Sequence, residues 1–310
     1  MKWISRISGF FLLFVLTAAT VTQDCSGTGG REENYQAAEE VEIEGVKMAH
    51  AGDINIAYRI MGQGDPIVLI MGYGSTMDMW DSRLLHSLAA KYRVIIFDNR
   101  GTGNTTATQE SFSIDQFAND TAGLMAALGM ERYHVLGWSM GSFVAQELAI
   151  RCPENVDKLI LYAGDCGGRE AVMPAAWVLD DLANTSGTPE EAGMRLFNLL
   201  FPKEWLSSQP PFYEWFPLPK ETSLPENIKR QSEAIAAWPG TFDRLKSIKA
   251  PTLLVTGKKD LIVPPENSFI LAQRINASWL VQFNGAGHGL MYQYPDRLAK
   301  IVVDFVELSD

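Results

Sequence analysis

From residue 46 onward, two kinds of apolar pattern alternate along the chain. Lys47–His50 and Ile54–Ile60 alternate apolar and polar positions on either side of Gly52-Asp53, which predicts a β-hairpin. Ile67-Val68-Leu69-Ile70, within Pro66–Met71, is unbroken, and such a run predicts a strand buried on both faces, as in a parallel sheet. Trp80–Tyr92 is patterned as a helix and Arg93–Phe97 as the next buried strand. Ile114–Leu128 reads as an amphipathic helix closed by Gly129. Tyr133–Trp138 is again apolar and β-rich, and behind it Phe143, Val144, Leu148 and Ile150 recur at helical spacing. Lys158–Ala163, Thr252–Thr256 and Trp279–Phe283 read as further strands, with helices over Ser268–Ile275 and Asp296–Leu308. This alternation predicts an α/β protein with a doubly wound, mostly parallel sheet after an antiparallel start.

Residues 167–240 break the rhythm. No buried-strand pattern occurs there, and helical pieces are punctuated by Pro202, Pro210-Pro211, Pro217, Pro219, Pro225 and Pro239. Aromatics concentrate in the same stretch, among them Trp177, Phe197, Phe201, Trp205, Phe212 and Trp215. We read an inserted helical cap over 167–240, on a core formed by 46–166 and 241–310. The insertion leaves the sheet at the carboxyl end of a strand, where sites form in open α/β sheets. Aromatic rings above such a site predict an apolar pocket. The same rings could equally form the insertion's own core.

The first 45 residues are of another kind. Lys2 and Arg6 precede Ile7–Val21, which is almost wholly apolar, so residues 1–24 read as a secretory signal with Thr17-Ala18-Ala19 near its cleavage site, or as an uncleaved anchor. Cys25-Ser26-Gly27 is similar to a lipoprotein attachment site, although Gln23-Asp24 departs from that pattern. Residues 25–45 are polar and acidic and read as a flexible tether. An exported protein is expected, and any membrane attachment would run through this N-terminus. Sequons at Asn104, Asn119, Asn184 and Asn276 are compatible with export. The net charge of −11 argues against a nucleic-acid partner and leaves a small-molecule substrate as the expected one. Oligomeric state is left open. Cys152 and Cys166 are expected to be reduced, although residue spacing alone leaves their pairing open.

The chemistry centres on Gly137-Trp138-Ser139-Met140-Gly141, a G-x-S-x-G between a predicted strand and a predicted helix. A turn that abrupt strains the serine backbone and pushes its hydroxyl out over the sheet edge. A serine hydroxyl is a poor nucleophile until a base takes its proton. His50 lies in the hairpin, His86 in a helix and His134 inside a strand, whereas His288 sits in Gly285-Ala286-Gly287-His288-Gly289, a loop after the last strand. His288 is therefore the expected base. Asp260, in the loop after Thr252–Thr256, is the expected carboxylate behind it, in the chain order Ser…Asp…His, with Asp165 as the rival. The oxyanion donors are expected to be the N–H groups of Met140 and of Tyr73, in Met71-Gly72-Tyr73-Gly74-Ser75, with Gly72 the fallback for the second.

These stretches, together with Asp98-Asn99-Arg100-Gly101-Thr102-Gly103, resemble the α/β-hydrolase family in its capped serine-hydrolase branch, and the resemblance covers the chain from about Val46 to its end. Family members similar to it include esterases, enol-lactonases and cofactor-free haloperoxidase-like enzymes. The resemblance implies a structural role for the Asp98–Gly103 turn. Many members carry His-Gly in the oxyanion loop where this chain has Met71-Gly72; a backbone donor should tolerate the change. An aspartate nucleophile would have implied a dehalogenase or epoxide hydrolase.

No cofactor and no metal are expected. Gly101-Thr102-Gly103 and Gly72-Tyr73-Gly74 lack the third glycine of a dinucleotide fingerprint, and no H-E-x-x-H or paired-cysteine motif occurs. The expected activity is hydrolysis of carboxylic esters or lactones of a small, largely apolar substrate. C–C bond hydrolysis or perhydrolysis on the same triad, and ligand binding without catalysis on the same fold, are the alternatives.

Overall fold

The computed structural model describes residues 45–184 and 186–308. The expected export segment, Cys25 and the tether up to Glu44 lie outside the described residues. Eight strands form one sheet: β1 (Lys47–Ala51), β2 (Ile54–Met61), β3 (Pro66–Ile70), β4 (Arg93–Phe97), β5 (Tyr133–Trp138), β6 (Val156–Tyr162), β7 (Thr252–Gly257) and β8 (Ser278–Phe283). Their order is β1-β2-β4-β3-β5-β6-β7-β8. The first hairpin turns at Gly52-Asp53, so that Ala51 faces Ile54. β2 lies antiparallel to β4, and every later pairing is parallel. Strand order reverses at β3, which pairs with β4 on one side and β5 on the other, and crevices open at the carboxyl ends of such strands.

The unbroken runs are explained by burial on both faces. Val68, Ile70 and Val135 belong to one core cluster with Phe117, Val144 and Leu271, whereas Ile67, Leu69 and Leu136 belong to the other with Leu84, Leu298 and Val302. Helices α2 (Ile114–Ala127), α3 (Met140–Arg151) and α8 (Glu266–Arg274) supply the first face; α1 (Ser82–Ala89) and α10 (Pro295–Glu307) supply the second. Each fully buried Leu or Ile contributes about 1.5–3 kcal/mol, so covering both faces of the sheet adds substantially to stability. The helix expected over Trp80–Tyr92 is shorter, because the Asp81 side chain accepts the N–H groups of Arg83 and Leu84 and starts α1 at Ser82. Ser113 caps α2 in the same way, accepting from Gln116.

Between β6 and β7 run α4 (Ala176–Ala183), α5 (Pro189–Leu200), α6 (Lys203–Leu206) and α7 (Pro225–Ala237), with no strand among the described residues of this stretch. Its return to the core is fixed by Glu147 on α3, a buried carboxylate that accepts from Trp238 Nε1 at 2.8 Å and from Arg244 Nη1 at 2.7 Å. Burial alone would raise the pKa of Glu147, but the hydrogen bonds from Arg244 and Trp238 outweigh it and hold the group below the ordinary value. Its stabilising effect is therefore present above the unfolded-state value near 4.5 and is lost as the pH falls below it.

Replacing Glu147 by Ala strands the indole N–H and the guanidinium, of which Arg244 is partly exposed. The expected loss is roughly 2–4 kcal/mol at pH 7, read from denaturant midpoints, and it should shrink as the pH is lowered toward 4.

Candidate active site

Four loops meet at the carboxyl ends of the strands. Ser139 follows β5, Met71–Gly74 follow β3, Asp260 follows β7 and His288 follows β8. Ser139 has φ 55° and ψ −122°, a conformation that costs a non-glycine residue of order 1–3 kcal/mol and persists only when its surroundings impose it. Here the surroundings do: Ser139 N–H donates to the Tyr162 carbonyl at 3.0 Å, and the Ser139 carbonyl accepts from Ser142 N–H at 2.8 Å and Ser142 Oγ at 2.7 Å. α3 starts directly behind the serine, so Met140 N–H belongs to the first turn of a helix, whose N–H groups point at the site. A Cβ at Gly141 would run into the Ile70 carbonyl, which is why the position after Met140 must be glycine.

The loop after β3 lies against the serine. A Cβ built at Gly72 would sit 3.3 Å from Ser139 Cβ. Asn99 Nδ2 donates to the Met71 carbonyl at 3.0 Å, and Gly74 N–H donates to Gln231 Oε1, on α7, at 2.9 Å. The loop is thus pinned at both ends, with Tyr73 between. Burial pushes the Tyr73 phenol up to about 12, against a hydrogen bond with Ser232. The Asp98–Gly103 turn is structural: Asp98 accepts Met77 N–H at 2.7 Å and Asn104 N–H at 3.1 Å, and burial raises its carboxyl to about 6.

His288 Nδ1 and Asp260 Oδ2 are 2.8 Å apart, and the two residues are 3% and 4% exposed. Asp260 Oδ1 accepts the N–H groups of Ile262 and Val263, each at 2.9 Å. The carboxylate is therefore satisfied on both oxygens, and the imidazole is oriented by a buried acceptor. The His288 carbonyl accepts two side-chain donors, Tyr162 OH at 2.6 Å and Trp138 Nε1 at 3.2 Å. The rival Asp165 is bonded elsewhere. Its Oδ1 accepts Gly167 N–H at 2.7 Å, and burial raises its carboxyl to about 6. The remaining histidines lie away from the serine. His50 is on β1 beside Asn55, His86 is on α1 with Nδ1 against the Ser82 carbonyl, and His134 is buried in β5 edge-on to Tyr92.

The expectation of an aromatic pocket needs correction. Phe197, Phe201, Trp205, Phe212, Trp215 and Phe216 pack on one another, with centroids 4.8 Å apart for Phe197–Phe216 and 5.0 Å for Phe201–Trp205. Phe216 continues the cluster onto Tyr292 at 4.7 Å, in the short helix α9 (Leu290–Gln293) behind His288. Trp238 stacks on Phe143, and Trp177 is 53% exposed. These rings form a core that joins the insertion to the base loop, with Gly289 N–H donating to the Leu200 carbonyl at 2.9 Å. Sequence reasoning also missed Asn99, Tyr162 and Gln231. A tyrosine ending an apolar strand was the one available signal for Tyr162.

Cys152 and Cys166 are free thiols. Among the described residues no group of three His, Cys, Asp or Glu side chains is arranged to hold a metal ion, and no helix is long and apolar enough to cross a membrane. The arrangement can do acyl-transfer chemistry: a strained serine, an oriented imidazole with a buried carboxylate, and backbone donors from two loops.

A family model described as alpha/beta hydrolase fold matches residues 65–295. A 2-hydroxy-6-oxononadienedioate/2-hydroxy-6-oxononatrienedioate hydrolase of Pseudomonas putida is 31% identical over 82% of this chain and 92% of its own. The enol-lactonase of Burkholderia xenovorans LB400 superimposes with a TM-score of 0.73 at 25% identity, over 84% of this chain and 100% of that one. A meta-cleavage product hydrolase of Pseudomonas fluorescens IP01 (CumD) gives 0.67 at 26% identity, over 84% and 96%. The chain belongs to the α/β-hydrolase family. It is a hydrolase of that family.

Asp260 and Asp165 are separated by their asparagine variants. Asp260→Asn should cost roughly 10³–10⁴-fold in turnover, because the amide favours the wrong imidazole tautomer. Asp165→Asn should keep turnover within a few-fold. The raised Asp165 carboxyl binds its proton more tightly folded than unfolded, so its ionisation opposes folding increasingly from the ordinary value of 3.8 upward and fully above about pH 6. Asp165→Asn should therefore gain about 1–2 kcal/mol over wild type at pH 7. Thermal unfolding as a function of pH should show that gain shrinking below about pH 6 and vanishing below pH 3.8.

Proposed function

We propose that this hydrolase is a serine enzyme that cleaves carboxylic ester or lactone bonds of a small, largely apolar substrate through an acyl-enzyme. The observation that carries the reading is the buried hydrogen bond between Asp260 Oδ2 and His288 Nδ1, at 2.8 Å, at the sheet edge that also presents Ser139. With Nδ1–H committed to Asp260, Nε2 is the free lone pair. It takes the proton of Ser139 Oγ as the oxygen attacks the carbonyl carbon. The tetrahedral oxyanion is held by the N–H groups of Met140 and Tyr73. His288 then returns its proton to the leaving alcohol, and the acyl group remains on Ser139. Water attacks the acyl carbon with His288 again as base, releasing the acid and restoring the serine. The one aromatic ring recorded against the His288 imidazole is Trp138, with centroids 5.6 Å apart, and that apolar neighbour supports an apolar substrate.

A second reading is favoured by the Pseudomonas putida relative, named as a hydrolase of 2-hydroxy-6-oxononadienedioate and 2-hydroxy-6-oxononatrienedioate, and by CumD, named as a meta-cleavage product hydrolase. The same serine and base would attack a ketone carbonyl, and a carbon rather than an oxygen would leave, protonated by His288.

Purified enzyme offered p-nitrophenyl esters, lactones and a vinylogous diketone distinguishes the two. The ester reading predicts kcat/KM rising from acetyl to hexanoyl by up to about fourfold per fitting methylene, from about 0.8 kcal/mol each. Turnover of the diketone above that of every ester would favour the second reading. Ser139→Ala should lose at least about 10³-fold on either substrate class, and wild-type turnover by that variant would end both readings.

A further inference from the structure

Tyr162, the last residue of β6, touches both halves of the site. Its main-chain carbonyl accepts the N–H of Ser139 at 3.0 Å, and its hydroxyl donates to the main-chain carbonyl of His288 at 2.6 Å. The same hydroxyl accepts Met291 N–H at 3.1 Å, in the first turn of α9. Trp138, immediately before Ser139, gives the His288 carbonyl its second donor at 3.2 Å and stacks on Tyr162 with centroids 6.0 Å apart. We propose that Tyr162 is a positioning residue that sets the distance between the nucleophile and the base, an inference that rests on the reading of Ser139 and His288 given above.

Three physical points carry it. First, His288 sits in a loop with glycines at 285, 287 and 289, and glycine leaves the backbone little intrinsic preference. Second, Asp260 fixes the ring at one atom only, Nδ1, so the imidazole could still pivot about that bond. Hydrogen bonds at Ala286, Gly287 and Gly289 tie the neighbouring residues of the loop, and the clamp on the His288 carbonyl is the one that fixes the histidine's own main chain. Because the clamp is built from the residue that also holds Ser139 N–H, and from the residue before Ser139, the base is indexed directly to the nucleophile. Third, Tyr162 is fully buried, and a hydroxyl there is costly unless bonded. Packing alone would be served by phenylalanine. Burial raises the phenol well above its ordinary value, so it remains a donor throughout the range in which hydrolases work. A displacement of about 1 Å in such a constellation can cost on the order of 10²-fold.

The test is Tyr162→Phe, assayed below its unfolding transition with p-nitrophenyl butyrate and with a fluorophosphonate probe. We expect kcat to fall about 10- to 100-fold with KM changed by less than about threefold, and the labelling rate to fall with kcat. A residue that served stability alone would lower Tm and leave kcat of the folded enzyme untouched. Trp138→Phe, which removes the companion donor, should also lower kcat with little change in KM, and it decides the matter if Tyr162→Phe does not fold. A folded Tyr162→Phe enzyme with kcat within twofold of wild type, or with its loss confined to KM, overturns the proposal. Ser139→Ala separates this from the reading beneath it. If Ser139→Ala is inactive while Tyr162→Phe is unimpaired, the positioning role alone fails; if Ser139→Ala turns over normally, the site reading fails with it.

Discussion

Asp260 is a buried carboxylate whose second oxygen has an imidazole as its partner, and the carboxyl edge of the sheet is built to keep that partner in place. A buried charge left unpaired costs several kcal/mol, so the Asp260–His288 bond is a constraint on the fold as well as on chemistry. β7 and β8 satisfy it by lying side by side, with Gly257 facing Phe283 at their ends. The loops beyond them are then laced together: Lys258 N–H donates to the Phe283 carbonyl and Lys259 N–H to the Ala286 carbonyl. The loops of Asp260 and His288 are thus tied together, and the N–H groups of Ile262 and Val263 are accepted by the other oxygen of Asp260.

The segment between β6 and β7 contributes to that unit rather than merely covering it. Its Leu200 carbonyl holds Gly289 N–H, its Gln231 holds Gly74 N–H, and its aromatic cluster runs into Tyr292. One segment therefore pins both the loop of His288 and the loop after β3. Any movement of it large enough to admit substrate would strain those two hydrogen bonds. Glu147, Trp238 and Arg244 hold the far end of the segment against α3, directly behind the strained serine.

Much of this was legible in the chain. Buried parallel strands are marked by unbroken apolar runs, and β3, β4 and β5 matched theirs closely because both faces are covered. Boundaries moved where the pattern was mixed. β6 begins at Val156 rather than Lys158, since Asp157 and Lys158 are half-buried residues at the strand's start. Ser139 and His288 stood out because flanking glycines mark sharp turns. Asp260 and Asp165 could not be separated on residue type alone, since each follows a buried strand; the hydrogen bond to His288 is a three-dimensional fact. The aromatic residues were ambiguous for a different reason. One composition serves a pocket wall and a packed core equally well, and only ring-to-ring distances distinguish them. Tyr162, Trp138 and Gln231 act through partners far away in sequence, and neither periodicity nor spacing marks such pairs.

We propose above that Ser139 carries the covalent chemistry with His288 as its base. The most direct test of that proposal is to inhibit the full-length enzyme with a fluorophosphonate, digest it, and locate the adduct by mass spectrometry. A single phosphonyl group is expected on Ser139, formed in step with loss of activity, and formed far more slowly in His288→Ala. An adduct on another residue such as neighbouring Ser142, or full hydrolytic activity remaining after Ser139 is stoichiometrically modified, would contradict it.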